Sequence, residues 1–151
     1  MSIVRVETLI KASAEVCFDL ARDIDVHVRT TTGSGEKAVA GVTSGMMELG
    51  DFVTFEAVHF GVRQRLTSQI VEFDRPRMFA DQMVKGAFKR MRHEHIFEPV
   101  EAGTRMIDVL DFRSPLGPVG AVVDSLVLAR YMERFLKERG QKLKLVAEEL
   151  S

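Results

Sequence analysis

The stretch "RMRHEHIFEPVEAGTRMIDVLDF", from Arg90 to Phe112, alternates between polar and apolar residues on both sides of a turn-forming centre. Side chains two residues apart on a strand point to the same face of the sheet. The pattern therefore predicts strands at Met91–Val100 and Thr104–Phe112, joined by the turn "EPVEAG". The charged residues of the first strand are expected to face solvent. Its inner face is expected to carry Met91, His93, His95 and Phe97.

The second strand brings an acidic side chain to the same inner face. Within Thr104–Phe112, the alternating set that contains Asp108 carries fewer charges than the other set, so it is predicted to point inward beside the histidines. Asp81 on the preceding strand is a candidate for flanking the histidines from the other side, with its register left open. His59 joins this polar patch if its own set, which includes Phe55, faces inward. Buried histidines must form hydrogen bonds or stay neutral, because burial disfavours their charged form.

Outward from this stretch, the N-terminal half predicts strands and one or two short helices. Ile3–Ile10 is predicted to be a strand, and Ser13 is predicted to cap the helix that follows, with Glu15 in its first turn. The segment Asp25–Thr32 is ambiguous and is interpreted as a second short helix. Further strands are predicted at Lys37–Thr43, Phe52–Phe60, Arg63–Phe73 and Met78–Phe88.

The C-terminal part predicts one long helix. Pro115 and Pro118 interrupt the strand region, whereas Val119–Leu150 contains no proline and repeats apolar residues at helical spacing. At about 1.5 Å per residue, roughly 32 residues span about 48 Å, which is enough to cross the sheet. Gly140 weakens this helix locally and is a candidate for a bend.

Composition and charge indicate which classes of partner and location to expect. The 151 residues predict a single domain over 1–151, and the net charge of −1 comes from basic and acidic residues mixed along the chain. A nucleic-acid partner is therefore not expected. Cys17 is the only cysteine, which fits a reducing compartment. With no long apolar run and no signal-like N-terminus, membrane insertion is not expected and a cytoplasmic location is predicted.

The order of the predicted elements resembles the START-like, polyketide cyclase/dehydrase and lipid-transport superfamily, known as SRPBCC or helix-grip. Two segments carry the resemblance: "ASAEVCFDLARDID", from Ala12 to Asp25, and "HEHIFEPVEAGTRMIDVLDFRSPLG", from His93 to Gly117. The resemblance implies an α+β fold in which a curved antiparallel sheet of about seven strands wraps around a long C-terminal helix. Two short helices follow the first strand. Members of this superfamily include carriers, sensors, quinone-binding proteins, cyclases and dehydratases, so the fold leaves the function open.

The resemblance implies a cavity between the sheet and the C-terminal helix that binds a small hydrophobic, aromatic or lipid-like molecule. The polar groups of this ligand are expected to meet His59, His93, His95, Asp81 and Asp108. The walls are expected to come from Phe55, Met83, Met91, Phe97, Met106, Phe112 and Phe135. Tyr131 on the long helix is either a hydrogen-bond donor to a ligand carbonyl or a residue of the helix–sheet boundary. Association of two copies into a homodimer is left open.

Two other interpretations of the histidines remain. In the first, His93 or His95, tuned by Asp108 or Asp81, is the general acid/base of a cyclase or dehydratase that acts on a polyketide-like substrate. In the second, the histidines are structural residues that are satisfied by hydrogen bonds. We favour binding without catalysis, and the catalytic candidates are His93, His95 and Asp108.

A metal site is a further interpretation of the His-x-His pair. Two histidines on one strand can supply two imidazoles to one ion. The spacing around them misses the cupin pattern of glycine, His-x-His, glutamate and glycine, and no histidine follows His95. The sequence therefore predicts neither a metal nor another cofactor.

Overall fold

The computed structural model describes residues 2–31, 35–59, 61–114 and 127–150. Seven strands form one antiparallel sheet in the order β1-β7-β6-β5-β4-β3-β2. The strands are β1 Ser2–Ile10, β2 Lys37–Gly41, β3 Phe52–His59, β4 Val62–Asp74, β5 Met78–Lys85, β6 Arg90–Val100 and β7 Gly103–Arg113. The helices are α1 Ala14–Ala21, α2 Ile24–Thr30 and α3 Ala129–Glu149. The predicted α+β fold, with short helices after the first strand and a long C-terminal helix, is confirmed.

The short helices begin at side-chain caps. Ser13 accepts a hydrogen bond from the backbone N–H of Val16 at 3.2 Å, as predicted. Asp23 caps α2 by accepting from the N–H of Val26 at 3.1 Å. This second cap resolves the ambiguous segment in favour of a helix, which ends at Thr30.

The long helix packs across β1 and contacts both short helices. The prediction of one continuous helix holds within Ala129–Glu149, whereas Pro115, Pro118 and positions 119–126 lie outside the described residues. Gly140 lies inside this helix and is buried. A Cβ there would meet Oγ1 of Thr8 at 2.6 Å, so the glycine allows close approach of α3 to β1.

Within the described residues, two apolar clusters form the core. One lies among α1, α2 and the sheet and centres on Phe18, whose ring meets those of Phe73, Phe79 and Phe97 edge-on. The other joins β1, β6 and β7 to α3 through Val4, Val6, Met91, Leu110, Phe112 and Leu136. Within the described part of the chain, no helix is long and apolar enough to cross a membrane.

Strand register places the polar residues of the inner face. His95 lies opposite Asp108 in the β6–β7 pair, and His93 lies opposite Asp81 in the β5–β6 pair. The neighbouring β4–β5 pair contains register shifts, one of them between Ile70 and Glu72. Two acidic residues therefore flank the histidine pair, one on each neighbouring strand.

Candidate ligand-binding cavity

A cavity of about 370 Å³ lies between the inner face of the sheet and α3. Its volume is within the usual range for sites that bind small organic molecules. Its lining is mostly apolar, with contributions from β3, β4 and α3 that include Val53, Phe55, Ile70, Met132, Phe135 and Leu136. All four histidines of the chain also line it: His27, His59, His93 and His95. Within an apolar wall, this concentration of imidazoles marks the cavity as the candidate site.

The histidines of β6 form a chain of contacts with two carboxylates. Nε2 of His93 lies 2.8 Å from Oδ1 of Asp108, and Nε2 of His95 lies 2.8 Å from Oδ2 of Asp81. Nδ1 of His95 is also 3.5 Å from Oδ1 of Asp108. The two imidazoles stack with their ring centroids 3.7 Å apart, and Phe79 stacks on His95 at 4.2 Å. The imidazole planes are thereby fixed from several sides.

Burial and hydrogen bonding act in opposite directions on the charges of this group. Burial would raise the pKa of Asp108, but hydrogen bonds from His93 and His95 outweigh it and hold the pKa far below its usual range. Burial lowers the pKa of His95, but the hydrogen bonds to Asp108 and Asp81 outweigh this effect and raise it. Burial and the nearby charge of His95 together lower the pKa of His93. Two carboxylates with lowered pKa values, Asp81 and Asp108, therefore flank a histidine pair in which the pKa of His95 is raised and that of His93 is lowered.

A second polar pair lies on another wall of the cavity. Nε2 of His27 is 3.3 Å from Oε1 of Glu36, and the His27 ring stacks on Phe55 with centroids 4.3 Å apart. Burial lowers the pKa of His27. Burial would raise the pKa of Glu36, but the interaction with His27 outweighs it and lowers the pKa. A neutral imidazole thus donates its N–H to an ionised carboxylate.

A third polar pair joins β3 to the long helix. Nδ1 of His59 lies 2.5 Å from the hydroxyl oxygen of Tyr131. The ring of Phe135 packs edge-on against the same imidazole with centroids 5.8 Å apart. Burial lowers the pKa of His59. This pair lies at the junction of the sheet and α3, where Tyr131 also faces the cavity.

Arg139 is a buried cation at the cavity wall, with 6% of its surface exposed. Its Nη2 donates to the carbonyl oxygen of Ala21 at 3.5 Å, and among the described residues its Nε has no hydrogen-bond partner. No described carboxylate forms an ion pair with it, although its charge contributes to lowering the pKa of Glu36 and of Asp81. The sequence carried a signal for this residue that we did not use, since a cation interrupts the apolar stripe between Leu136 and Leu143.

Most of the residues predicted for the site reach the cavity. Those that line it are His59, His93, His95, Asp81, Phe55, Met91, Tyr131 and Phe135. Asp108 does not line it, because it is covered by the two histidines that it contacts. The sequence analysis missed His27, Glu36 and Arg139.

Four predicted wall residues are corrected. Phe97 and Met106 share the inner face, but they lie where α1 and the C-terminal half of α3 cover the sheet, so they belong to the core around Phe18. Phe112 is fully buried against Phe88, with ring centroids 5.7 Å apart. Met83 packs against the second core cluster and does not line the cavity. Alternation identified the correct face of the sheet but not the position along it.

Three of the polar side chains on β5 and β6 also have the composition of a metal site. Asp81, His93 and His95 each offer one donor atom, and the three atoms lie within 4.8 Å of one another. Carboxylate oxygen and imidazole nitrogen are common ligands of divalent transition metals. Among the described residues, these are the side chains that could hold an ion.

The sequence matches the model of a protein family, polyketide cyclase/dehydrase and lipid transport, over residues 1–148. No match is found among curated proteins.

Several solved structures share the fold at low sequence identity. TTHA0849 from Thermus thermophilus is 21% identical with a TM-score of 0.75, and the match covers 97% of this chain and 99% of that one. CV1439 from Chromobacterium violaceum is 11% identical with a TM-score of 0.76 and coverages of 98% and 99%. Major latex-like protein 151 from ginseng, Panax ginseng, is 15% identical with a TM-score of 0.68, and 97% of each chain is covered. At these identities the similarity establishes the fold alone.

Proposed function

The chain belongs to the polyketide cyclase/dehydrase and lipid-transport family, and we propose that it binds a small hydrophobic or aromatic molecule in the cavity between the sheet and α3. The observation that carries the proposal is a cavity of about 370 Å³ with mostly apolar walls and polar groups at a few defined points. Sites for organic ligands generally combine an apolar wall with a few placed polar groups. The apolar wall supplies affinity, and the polar groups fix the orientation of the ligand.

The polar groups are suited to a ligand that carries a carbonyl or hydroxyl. Tyr131 and His59 form a hydrogen bond with each other. A ligand oxygen at that end of the cavity could accept a hydrogen bond from this pair. His93 faces the cavity as a neutral imidazole whose Nε2 is already held by Asp108. A ligand with no polar atom would leave these groups without new partners. We therefore expect an apolar molecule with one or two oxygen atoms.

Filling the cavity tests this proposal. Ala57 is buried on β3 and lines the cavity, so Ala57→Phe should occupy the space of the ligand. Val58, the next residue on the same strand, is 48% exposed and points away, so Val58→Phe is the matched control. Nile red, a neutral apolar dye, should bind the unmodified protein and the control but not Ala57→Phe. Native mass spectrometry of freshly purified protein should show whether an organic molecule co-purifies.

Two results would count against the proposal. If the unmodified protein fails to bind Nile red and related apolar dyes, the cavity does not take up apolar molecules. If Ala57→Phe binds the dye as well as Val58→Phe does, the dye lies elsewhere on the protein. Thermal unfolding of both variants checks that the added ring has not unfolded the chain.

A second candidate function is catalysis by the same cavity, favoured by the chain of contacts Asp81–His95–Asp108–His93. In a dehydration, His93 would take a proton from the carbon next to a carbonyl. The same imidazole would then give that proton to the departing hydroxyl, so that a carbon–carbon double bond forms and water leaves. Incubation with a β-hydroxy ketone, followed by mass spectrometry, should then show loss of water. His93→Gln should retain binding and lose turnover, and an unchanged substrate with the unmodified protein would exclude this reaction.

A further inference from the structure

We propose that Asp81, His93 and His95 form a binding site for a divalent transition-metal ion that faces the cavity, with Asp108 orienting one of the ligands. The three donor atoms lie within 4.8 Å of one another. A two-histidine, one-carboxylate set is a recurring ligand set for zinc and for non-haem iron. The inference is independent of which organic molecule the cavity binds.

The fold supplies the third ligand that the sequence did not show. No histidine follows His95 in the chain, and this argued against a metal when the His-x-His pair was considered alone. Strand pairing places Asp81 of β5 opposite His93 of β6, and its Oδ2 lies 2.8 Å from Nε2 of His95. A carboxylate and two imidazoles thus meet on the inner face without a further histidine.

Asp108 contacts His93 in the way that a carboxylate outside the coordination sphere usually contacts a metal-binding histidine. Its Oδ1 lies 2.8 Å from Nε2 of His93, which fixes the ring and leaves the other nitrogen, Nδ1, available for an ion. A metal-bound histidine commonly donates its second N–H to a carboxylate, which fixes the tautomer and strengthens the ligand. Asp108 is 2% exposed and does not line the cavity, so its carboxylate acts on the imidazoles and not on the contents of the cavity.

Charge balance also favours a cation at this position. Asp81 and Asp108 bring two carboxylates to two histidines, and Asp108 and His95 are almost fully buried. Buried charges are costly unless they are compensated. One divalent cation with two neutral imidazoles would balance both carboxylates.

The position of the site relative to the cavity suggests what the ion would do. Asp81, His93 and His95 all line the cavity, so three protein ligands would leave at least one coordination position directed toward its interior. Sites of this type keep the remaining position for water or for an oxygen of the bound molecule. The ion would therefore orient a polar ligand atom.

The inference can be tested by isothermal titration calorimetry of the tag-free protein after EDTA has removed bound metal. The titrants are zinc chloride and cobalt chloride, with magnesium chloride for comparison. One zinc ion should bind per chain, cobalt should give a visible absorption spectrum of nitrogen and oxygen ligation, and magnesium should bind far more weakly. His95→Gln and Asp81→Asn should each weaken zinc binding by more than about tenfold. Asp108→Asn should weaken it by roughly 10- to 100-fold, the usual effect of losing such an outer partner.

His59→Gln is the matched control. His59 lines the same cavity but is paired with Tyr131, outside the three proposed ligands, so this variant should bind zinc as the unmodified protein does. Failure of zinc to bind the unmodified protein would overturn the inference. Binding that persists unchanged in both His95→Gln and Asp81→Asn would also overturn it, because the ion would then lie elsewhere. If His95→Gln does not fold by circular dichroism, Asp81→Asn decides the test, since Asp81 is 24% exposed and more tolerant of change.

Nile red binding to the same samples separates this inference from the proposed function. Dye binding without zinc binding would leave the cavity proposal standing and remove the metal site. Zinc binding without dye binding would do the reverse.

Discussion

Replacing Asp108 with asparagine should destabilise the metal-free protein strongly, although the two side chains have nearly the same shape. The carboxylate is 2% exposed, contacts His93 at 2.8 Å and lies 3.5 Å from Nδ1 of His95. Hydrogen bonds to a charged group contribute about 1.5–3 kcal/mol each, and breaking a buried pair by removing one partner costs about 3–5 kcal/mol. Asparagine keeps one acceptor oxygen but loses the charge. We therefore expect a loss of about 3 kcal/mol.

Urea unfolding at pH 7 in the presence of EDTA, followed by circular dichroism, measures this loss. With a denaturant dependence of about 2 kcal/mol per molar urea, the midpoint should fall by about 1.5 M. Asp74→Asn is the matched control, because Asp74 pairs with Arg77 at 2.9 Å while its side chain is 52% exposed. Exposed pairs contribute less than about 1 kcal/mol, so the control should hardly move the midpoint.

The reasoning is refuted if Asp108→Asn loses less than about 1 kcal/mol, a loss typical of exposed pairs. Such a result would mean that the carboxylate and His95 do not form a buried ion pair. A change in the slope of the urea curve would instead indicate that the variant alters the compactness of one state, and calorimetry would then replace the urea measurement.

Three further variants or reactions test the packing of the fold. Gly140→Ala should lower the free energy of unfolding by about 1–3 kcal/mol, because its Cβ would lie 2.6 Å from Oγ1 of Thr8. Thermal unfolding should show this loss relieved in a Thr8→Ala background, and an unchanged loss there would contradict the contact. Arg139→Met should leave the stability unchanged or raise it by about 1 kcal/mol, since the guanidinium is buried without an ion partner among the described residues. A loss above about 2 kcal/mol would show that the cation is compensated. Cys17 is fully buried and burial raises its pKa, so a thiol reagent should react with it only after unfolding in urea, and rapid reaction of the native protein would contradict this placement.

The fold was predictable because its strands and helices carry regular patterns. Alternation over Met91–Val100 and Thr104–Phe112 identified the hairpin and its inner face, and the side chain at Asp108 points where that alternation places it. The last helix was predictable from apolar spacing. These patterns depend on the geometry of a single element, so they can be read without knowing how the elements meet.

The composition of the cavity was less predictable because it depends on contacts between elements. His27 lies in a segment whose pattern was ambiguous, and its partner Glu36 precedes a short strand. Asp81 was placed on the correct strand, but its contact with His95 depends on the register between β5 and β6, which the pattern of a single strand does not give. Phe97 was assigned to the cavity because its face was known, while the cover of α1 over that part of the sheet was not.

The polar side chains at His93 and His95 support the proposal that the cavity takes up an ion or a molecule. Met91 and Phe97 lie on the same face of the same strand, and both are apolar and buried. The intervening positions, His93 and His95, are instead paired with two carboxylates. Replacing such buried ionic groups by apolar residues is often neutral or stabilising. A sheet that only had to pack against α3 could therefore continue the apolar pattern, which supports the proposed binding of an ion or a molecule in the cavity.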